Sequence, residues 1–402
     1  MAPTQISMIT THSLLQLLTR LPHRGAATPH EREAAQLLVD TLAEAGAATR
    51  LMPFQTPKTY ATVVYWIIGG LLSSIVLVIS NGFLLQQVGL VICGIALTQA
   101  WLYFNWRHAS VVTWPVQHTA LNVLGQWPVA DRTPPTRRVV LLAHYDTAPV
   151  SALYNPKQQR DFQKSLQLSL GVMTLTAILL LVHTAVGLPA WGFWLLGLVA
   201  LYLVAQAILG TVGFWNQGYT NGASDNATGV VAAIETAKRL RENAPPGLLV
   251  EVVLPSAEEV GMIGAHAYWQ ANKGRFAKEA ATTAVINFDT LGAGKLTVIE
   301  RTGTVEMIHY DSPLTQLARD LVSRPAFQNR AQVGRWHTAD FDSVWFVRAG
   351  IPTLALCALA PDGTMPRIHR PDDILAAVDE TPMHDAVDLA EAVVREWCAT
   401  PL

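Results

Sequence analysis

Charge is scarce in this chain. Asp, Glu, Lys and Arg make up 14% of its 402 residues, where an ordinary soluble domain runs near a quarter. The deficit is local, because two stretches, Thr59 to Trp106 and Ser165 to Ser224, contain no charged residue at all. This excludes one uniformly soluble domain and leaves a soluble body of about 300 residues interrupted by apolar inserts. Basic surplus is also lacking. A formal net charge of -2, with no basic stripe, excludes nucleic acid as a partner, since neutralising phosphates takes Lys and Arg in excess. Cysteine is rare: Cys93, Cys357 and Cys398 are widely spaced, which excludes a disulfide framework and a thiolate zinc site and fits a reducing compartment. Residues Met1 to Arg20 have no basic leader, apolar core and cleavage site in series, so no signal peptide is expected. There is no internal repeat and no low-complexity tail.

What is present begins with the apolar runs. A bilayer core about 30 Å thick takes about 20 apolar residues of helix, and each uncharged stretch holds two such segments. They are Ala61 to Ser80 and Phe83 to Phe104 around Asn81-Gly82, then Leu168 to Val186 and Trp191 to Leu209 around Gly187-Leu188-Pro189. Buried core helices are the competing reading, but those carry charge on one face and these carry none. Trp66, Trp101, Trp106, Trp191, Trp194 and Trp215 fall near segment ends or turns, as interfacial rings do. Gln86, Gln87, Gln99 and His183 are read as interhelical hydrogen-bonding groups rather than a transport path. Both hairpin turns lack Lys and Arg, whereas Lys58, Arg107, Arg132, Arg137, Arg138, Lys157, Arg160 and Lys164 lie on the other side. The positive-inside rule places both chain ends and the soluble body in the cytoplasm. The expectation is a multi-pass protein of the plasma or inner membrane. Reporters fused at Asn81 and at Leu402 should fall on opposite faces of that membrane; the same face for both would end the hairpin reading.

The body reads as alternating helices and strands. Helical spacing covers Thr10 to Leu21 and His30 to Gly46, with Thr28-Pro29 and the early Glu31 and Glu33 suited to the free amides of a helix start. Strands are expected at Thr119 to Leu124, Arg138 to Leu142, Leu248 to Leu254, Thr283 to Asn287, Leu296 to Glu300 and Thr353 to Leu356. Further helices are expected at Ala227 to Leu240, Ile263 to Asn272 and Met383 to Trp397. This alternation implies an α/β fold, a sheet covered on both faces.

Three islands carry the chemistry: Ala-His144-Tyr-Asp146, Gly222-Ala-Ser-Asp225-Asn226 and Ser256-Ala-Glu258-Glu259. Loops at strand ends can aim side chains while the sheet holds them rigid. His144 and Asp146 are two apart in extended chain and share one side, so the carboxylate can fix which imidazole nitrogen faces outward. Adjacent carboxylates such as Glu258 and Glu259 usually begin a solvated helix; beside a metal, one can bind it while the other moves a proton. Asp225 alone would read equally as a helix cap. Asp289 ends a strand, and His369 lies in Arg-Ile-His-Arg-Pro-Asp-Asp.

Taken together these residues resemble the co-catalytic zinc aminopeptidases and carboxypeptidases of peptidase family M28, whose relatives include glutaminyl cyclases. The resemblance runs from about Leu14 to the C-terminus and implies a three-layer αβα metallopeptidase domain with a mixed, mostly parallel sheet. Position by position, it implies one zinc ion on His144 and Asp289, a second on Glu259 and His369, and Asp225 bridging the two. Glu258 matches the family's general base and Asp146 the partner that orients the histidine. Asn226-Ala-Thr-Gly229, Asp373 and Ala339-Asp340 with Gly350-Ile-Pro352 match further stretches, although Thr338-Ala339-Asp340 lacks the serine and histidine common there. In soluble relatives the first histidine and the bridging aspartate lie close in sequence, and deleting Ser165 to Gln217 restores that spacing. The implied organisation is a discontinuous zinc peptidase domain of residues 1–58, 106–164 and 217–402, with transmembrane hairpins at 59–105 and 165–216. The implied function is amide hydrolysis in a membrane-embedded dizinc metallopeptidase, foremost an aminopeptidase. Two alternatives stand beside it: a glutaminyl-cyclase-like acyltransferase with one zinc, and a non-catalytic membrane receptor or scaffold on the same fold. The chain from Trp215 to Asp225 spans at most about 35 Å, so the site is expected near the bilayer, with hydrophobic or membrane-associated peptides as substrates.

Overall fold

The computed structural model describes residues 10–80, 82–115, 117–129 and 134–401; Asn81, Arg132, Leu402 and the first nine residues lie outside that set. Two helices open the described chain, α1 (Thr11–Arg20) and α2 (Pro29–Glu44). Each starts on a threonine whose hydroxyl accepts a first-turn amide, Thr10 from Ser13 and Thr28 from Glu31. Pro29 suits the first helical position because it has no N–H to leave unpaired. There follow β1 (Ala48–Thr56), the apolar pair α3 (Tyr60–Ile79) and α4 (Phe83–Phe104), then β2 (His118–Trp127), β3 (Arg137–Leu142) and the single turn α5 (Pro156–Gln159). A second apolar pair, α6 (Phe162–Val186) and α7 (Ala190–Gln217), leads to α8 (Thr228–Glu242), β4 (Leu248–Leu254), the short α9 (Glu258–Gly261) and α10 (Ile263–Glu279). The chain closes through β5 (Thr283–Asp289), β6 (Lys295–Thr302), β7 (Ile308–His309), α11 (Pro313–Val322), β8 (Ala331–Arg335), α12 (Val344–Arg348), β9 (Thr353–Leu359) and α13 (Thr381–Ala399).

The strands form one sheet in the order β1-β2-β4-β3-β5-β9-β6-β7, with β8 on β6. Its centre is parallel: Leu142 stands opposite Val253 on one side and Asn287 on the other, and Asp289 opposite Cys357. Antiparallel pairs β1/β2 and β6/β9 flank it. Side chains alternate between two buried faces, as the period of two requires. Val139 and Leu141 join a core with α1, α2, α8, α11 and α13, whereas Val140 and Leu142 join one with α10 and α12. The result is a three-layer αβα fold. Because the four central strands run the same way, their C-terminal ends open at one edge.

The apolar pairs pack on each other and on that edge. Helices α3, α4, α6 and α7 are all long and apolar enough to cross a membrane. Val63, Ile67, Leu71 and Ile75 form a buried stripe on α3 at helical spacing. Small residues permit close approach: a Cβ on Gly89 would meet Val78 Cγ2 at 2.7 Å. The outward faces are apolar, Val76, Leu84 and Leu201 being 62%, 73% and 66% exposed, a surface that a hydrocarbon environment would cover.

The structure extends the sequence reading in particular places. Helix α6 begins at Phe162 rather than Leu168, and α7 continues to Gln217 rather than Leu209, because their added turns pack on the α/β body. A Cβ on Gly213 would meet Val150 O at 2.5 Å, so α7 lies directly on the loop after β3. Strands β1, β7 and β8 and helices α11 and α12 are additions, most of them short and at the rim of the fold.

Candidate metal centre

The parallel strand ends deliver the candidate residues. His144 and Asp146 follow β3, Glu258 and Glu259 follow β4, Asp289 is the last residue of β5, and His369 lies beyond β9. Asp225 enters from the turn before α8, whose preceding Asp225–Asn226 peptide bond is cis. The chain makes sharp turns at these points. Ala257, Thr290 and His369 all have positive φ, 58°, 44° and 54°, conformations that cost free energy in non-glycine residues and gather at functional sites. Gly264 permits the turn after Glu259, since a Cβ there would meet Ser256 O at 2.1 Å.

All seven expected site residues converge. The carboxylate of Asp225 faces both histidines, Oδ1 lying 3.4 Å from His144 Nε2 and Oδ2 3.4 Å from His369 Nε2. His144 Nε2 is 3.7 Å from Asp289 Oδ2 and 3.9 Å from Glu258 Oε2. Glu259 Oε2 lies 2.8 Å from His369 Nε2. Two ligand atoms each about 2.0–2.1 Å from one tetrahedral zinc ion lie about 3.3–3.4 Å from each other. The Asp225 separations match that value and are too long for good hydrogen bonds. Ligand atoms of His144, Asp225 and Glu259 lie within 4.8 Å of one another, and so do those of His144, Glu258 and Asp289. Proximity alone therefore does not separate Glu258 from the expected ligands.

Asp146 stands behind His144, its Oδ1 3.5 Å from Nδ1. The same carboxylate accepts the backbone amides of Glu258 and Glu259 at 3.1 and 3.3 Å, so one side chain joins the two loops. The helix-cap reading of Asp225 is corrected by its neighbour. Asn226 Oδ1 accepts the N–H of Gly229 at 3.0 Å and that of Thr290 at 3.1 Å, which leaves the Asp225 side chain free of the helix.

The electrostatics call for a cation. Burial pushes Glu258 and Glu259 well above the ordinary carboxylate range, reinforced for Glu258 by Glu259, Asp342 and Asp289 and for Glu259 by Asp225. Burial alone would lower His144, but the charges of Glu258 and Asp289 and contacts with Asp146 and Asp225 hold it well above its usual value. Asp225 Oδ2 and Glu259 Oε1 are buried without a hydrogen-bond partner. Unpaired buried carboxylate oxygens are costly unless they pair with or coordinate positive charge, and mixed imidazole and carboxylate donors suit zinc. The residues fit that metal.

Residues outside the expected ligand and base set are buried behind the site loops. The fully buried Arg24 guanidinium donates to the carbonyls of Tyr145, Asn221 and Gly222 at 2.7, 2.9 and 2.8 Å. Asp373, in the expected matching stretch, accepts the amides of Ser224 and Asp225 at 2.7 and 3.0 Å, and burial with the Asp225 charge pushes it up to about 7. Asp342 is buried with both carboxylate oxygens unpaired. Arg24 had no motif signal, being one basic residue in a loop; Asp342 sits two positions past Asp340, in the stretch where the family pattern lapses.

A sequence profile of peptidase family M28 matches residues 202–394. No curated protein matches the chain by sequence. Among solved structures, a zinc aminopeptidase from Bacillus subtilis shares 14% identity at a TM-score of 0.56, covering 96% of this chain and 94% of its own. A Zn-dependent exopeptidase from Parabacteroides distasonis shares 12% identity at 0.55 with all of both chains covered. A glutaminyl cyclase from Porphyromonas gingivalis shares 14% at 0.54, covering 97% of this chain and 99% of its own. These likenesses establish the common fold, and residues 202–394 carry the sequence pattern of peptidase family M28.

Proposed function

We propose that this protein is a membrane-embedded dizinc aminopeptidase. One observation carries the reading: the Asp225 carboxylate presents one oxygen to His144 and the other to His369, each at 3.4 Å, the arrangement a residue bridging two ions requires. His144 and Asp289 would hold one ion, Glu259 and His369 the other. When bound, such ions lower the pKa of water and polarise a scissile carbonyl. Glu258 takes the proton from the attacking water and gives it to the departing amine nitrogen, one group serving as base and then acid. Asp146 orients the His144 ring through Nδ1. The discontinuous body of residues 1–58, 106–164 and 217–402 carries this machinery. The hairpins at 59–105 and 165–216 hold it against the cytoplasmic face of a bilayer, a topology supported by the lysines and arginines that flank them.

The deciding experiment is metal analysis of the purified full-length protein combined with a screen of aminoacyl reporter substrates. Two equivalents of zinc and release of an N-terminal residue are expected. One equivalent, with cyclisation of N-terminal glutamine, would replace this reading with the acyltransferase one. Full zinc occupancy with no turnover of any reporter would favour a receptor or scaffold.

A further inference from the structure

A cavity of about 370 Å³ joins the candidate metal centre to the membrane helices. His144, Asp225, Glu258, Glu259, Asp289 and His369 form one end. The other end is built by the hairpins. Helix α7 contributes Tyr202, Ala205, Gln206 and Leu209, and α6 contributes Phe162, Ser165, Leu166 and Ser169. Both sets follow the spacing i, i+3, i+4, i+7, so each helix turns one whole face to the cavity. The α7 wall from Tyr202 to Thr211 rises about 13 Å along the helix axis. Counted about 20 residues from the hairpin turn at Ala190, Tyr202 to Leu209 falls inside the expected hydrocarbon span, in its half nearer the body.

The same helices are fastened to the catalytic loops. Tyr103 of α4 donates its hydroxyl to Val260 O at 2.6 Å, one residue beyond Glu259. The loop that receives Gly213 of α7 also donates Ser151 N–H to His369 O at 3.0 Å. The Tyr154 ring lies 4.2 Å from that of His369 and 5.1 Å from that of Phe162 in α6. Few polar groups interrupt the membrane part of the wall. Ser169 and Tyr202 satisfy each other at 3.0 Å, but Gln206 Oε1 is buried without a partner. An acceptor left unpaired in an apolar wall is costly. A peptide amide can supply the missing donor, whereas a hydrocarbon chain cannot.

We propose that this cavity houses the large apolar side chain next to the scissile amide, so that the membrane hairpins, rather than the α/β body, determine substrate size and class. The substrates are then peptides with a bulky apolar terminal residue, drawn from the lipid-facing side of the enzyme, and Gln206 accepts a backbone N–H of the same peptide. The volume lies in the range of about 300–1,000 Å³ in which ligand pockets bury their guests. This inference rests on the peptidase reading above.

The test uses the full-length protein in lipid nanodiscs with two probes, an N-terminal alanyl and an N-terminal phenylalanyl peptide amide of otherwise equal sequence. Ala205→Trp, which fills the cavity, is expected to cut kcat/KM for the phenylalanyl probe relative to the alanyl one by at least about 10-fold through KM, with zinc content unchanged. Leu209→Ala, which widens the cavity, is expected to shift the ratio the opposite way and decides the matter should the tryptophan variant not fold. An unmoved ratio in Leu209→Ala, or a parallel loss on both probes in Ala205→Trp with zinc retained, overturns the cavity proposal alone. Wild-type protein that hydrolyses neither probe overturns it together with the peptidase reading.

Discussion

Replacement of Glu258 by glutamine should lower kcat by about 10²- to 10⁴-fold, the usual worth of a positioned general base, while the zinc content stays at the wild-type value. The expectation follows from what the substitution keeps and what it removes. Glutamine has nearly the shape of glutamate, so the turn after β4, the Asp146 carboxylate that receives both backbone amides there, and the placement of Glu259 against His369 at 2.8 Å are retained. The lost element is a carboxylate able to take a proton and return it. Its Oε2 stands 3.9 Å from His144 Nε2, inside the ring of groups but, in the proposed division of roles, outside the set that grips the ions. The contrasting substitution is Glu259→Gln, which should reduce bound zinc as well as turnover. Metal content and kcat measured on both variants therefore separate base from ligand. Near-normal turnover in Glu258→Gln would remove Glu258 from the proton path, and loss of zinc in that variant would make it a ligand.

How far the sequence reveals this arrangement depends on whether a feature is local. The four apolar helices were legible because a charge-free run of that length is unfavourable anywhere but in a buried or lipid-facing setting. Residues 144, 146, 258, 259 and 289 were legible because they sit at the ends of continuous apolar strands, and a parallel sheet brings such ends to one edge. The edge strand β1 and the short elements β7, β8 and α12 were not. Arg50 falls in the phase of Ala48, Met52 and Phe54, and Arg335 in that of Ala331 and Val333, so neither β1 nor β8 keeps an apolar face, and these strands exist because a neighbouring strand pairs with them. The helix ends at Phe162 and Gln217 were missed for a related reason: an apolar window stops where hydropathy falls, whereas the helix continues as long as its backbone and packing allow. The positive φ of Ala257 and His369 also left no sequence trace. Nothing in an alanine or a histidine announces a left-handed turn; the tertiary contacts of the site impose it.

Arg24 illustrates the same limit, and its replacement should produce a large loss of stability. Its side chain is wholly buried. It donates to the carbonyls of Leu18, Tyr145, Asn221 and Gly222, and its own backbone N–H donates to Thr147 Oγ1 at 2.9 Å. The loop bearing His144 and Asp146 and the turn bearing Asp225 are thus tied to the end of α1 through one guanidinium. Burial lowers its pKa to about 10, against the opposing pull of Asp373, Asp146 and Asp225, so it remains charged at neutral pH and offsets part of the carboxylate crowd. Arg24→Met keeps much of the volume but leaves four carbonyls, three of them in buried hydrogen bonds, without their donor and the nearby carboxylates without their counter-charge. Removing one partner from such a buried arrangement costs about 3–5 kcal/mol. Thermal or denaturant unfolding of the zinc-free protein should report that loss directly, and zinc affinity should fall in parallel because Asp225 and His144 lose their common anchor. Lysine cannot supply the planar fork that reaches Tyr145 and Gly222 together, so Arg24→Lys should recover only a part of both quantities. Wild-type stability in Arg24→Met would show that these loops are held by the sheet and helix packing alone.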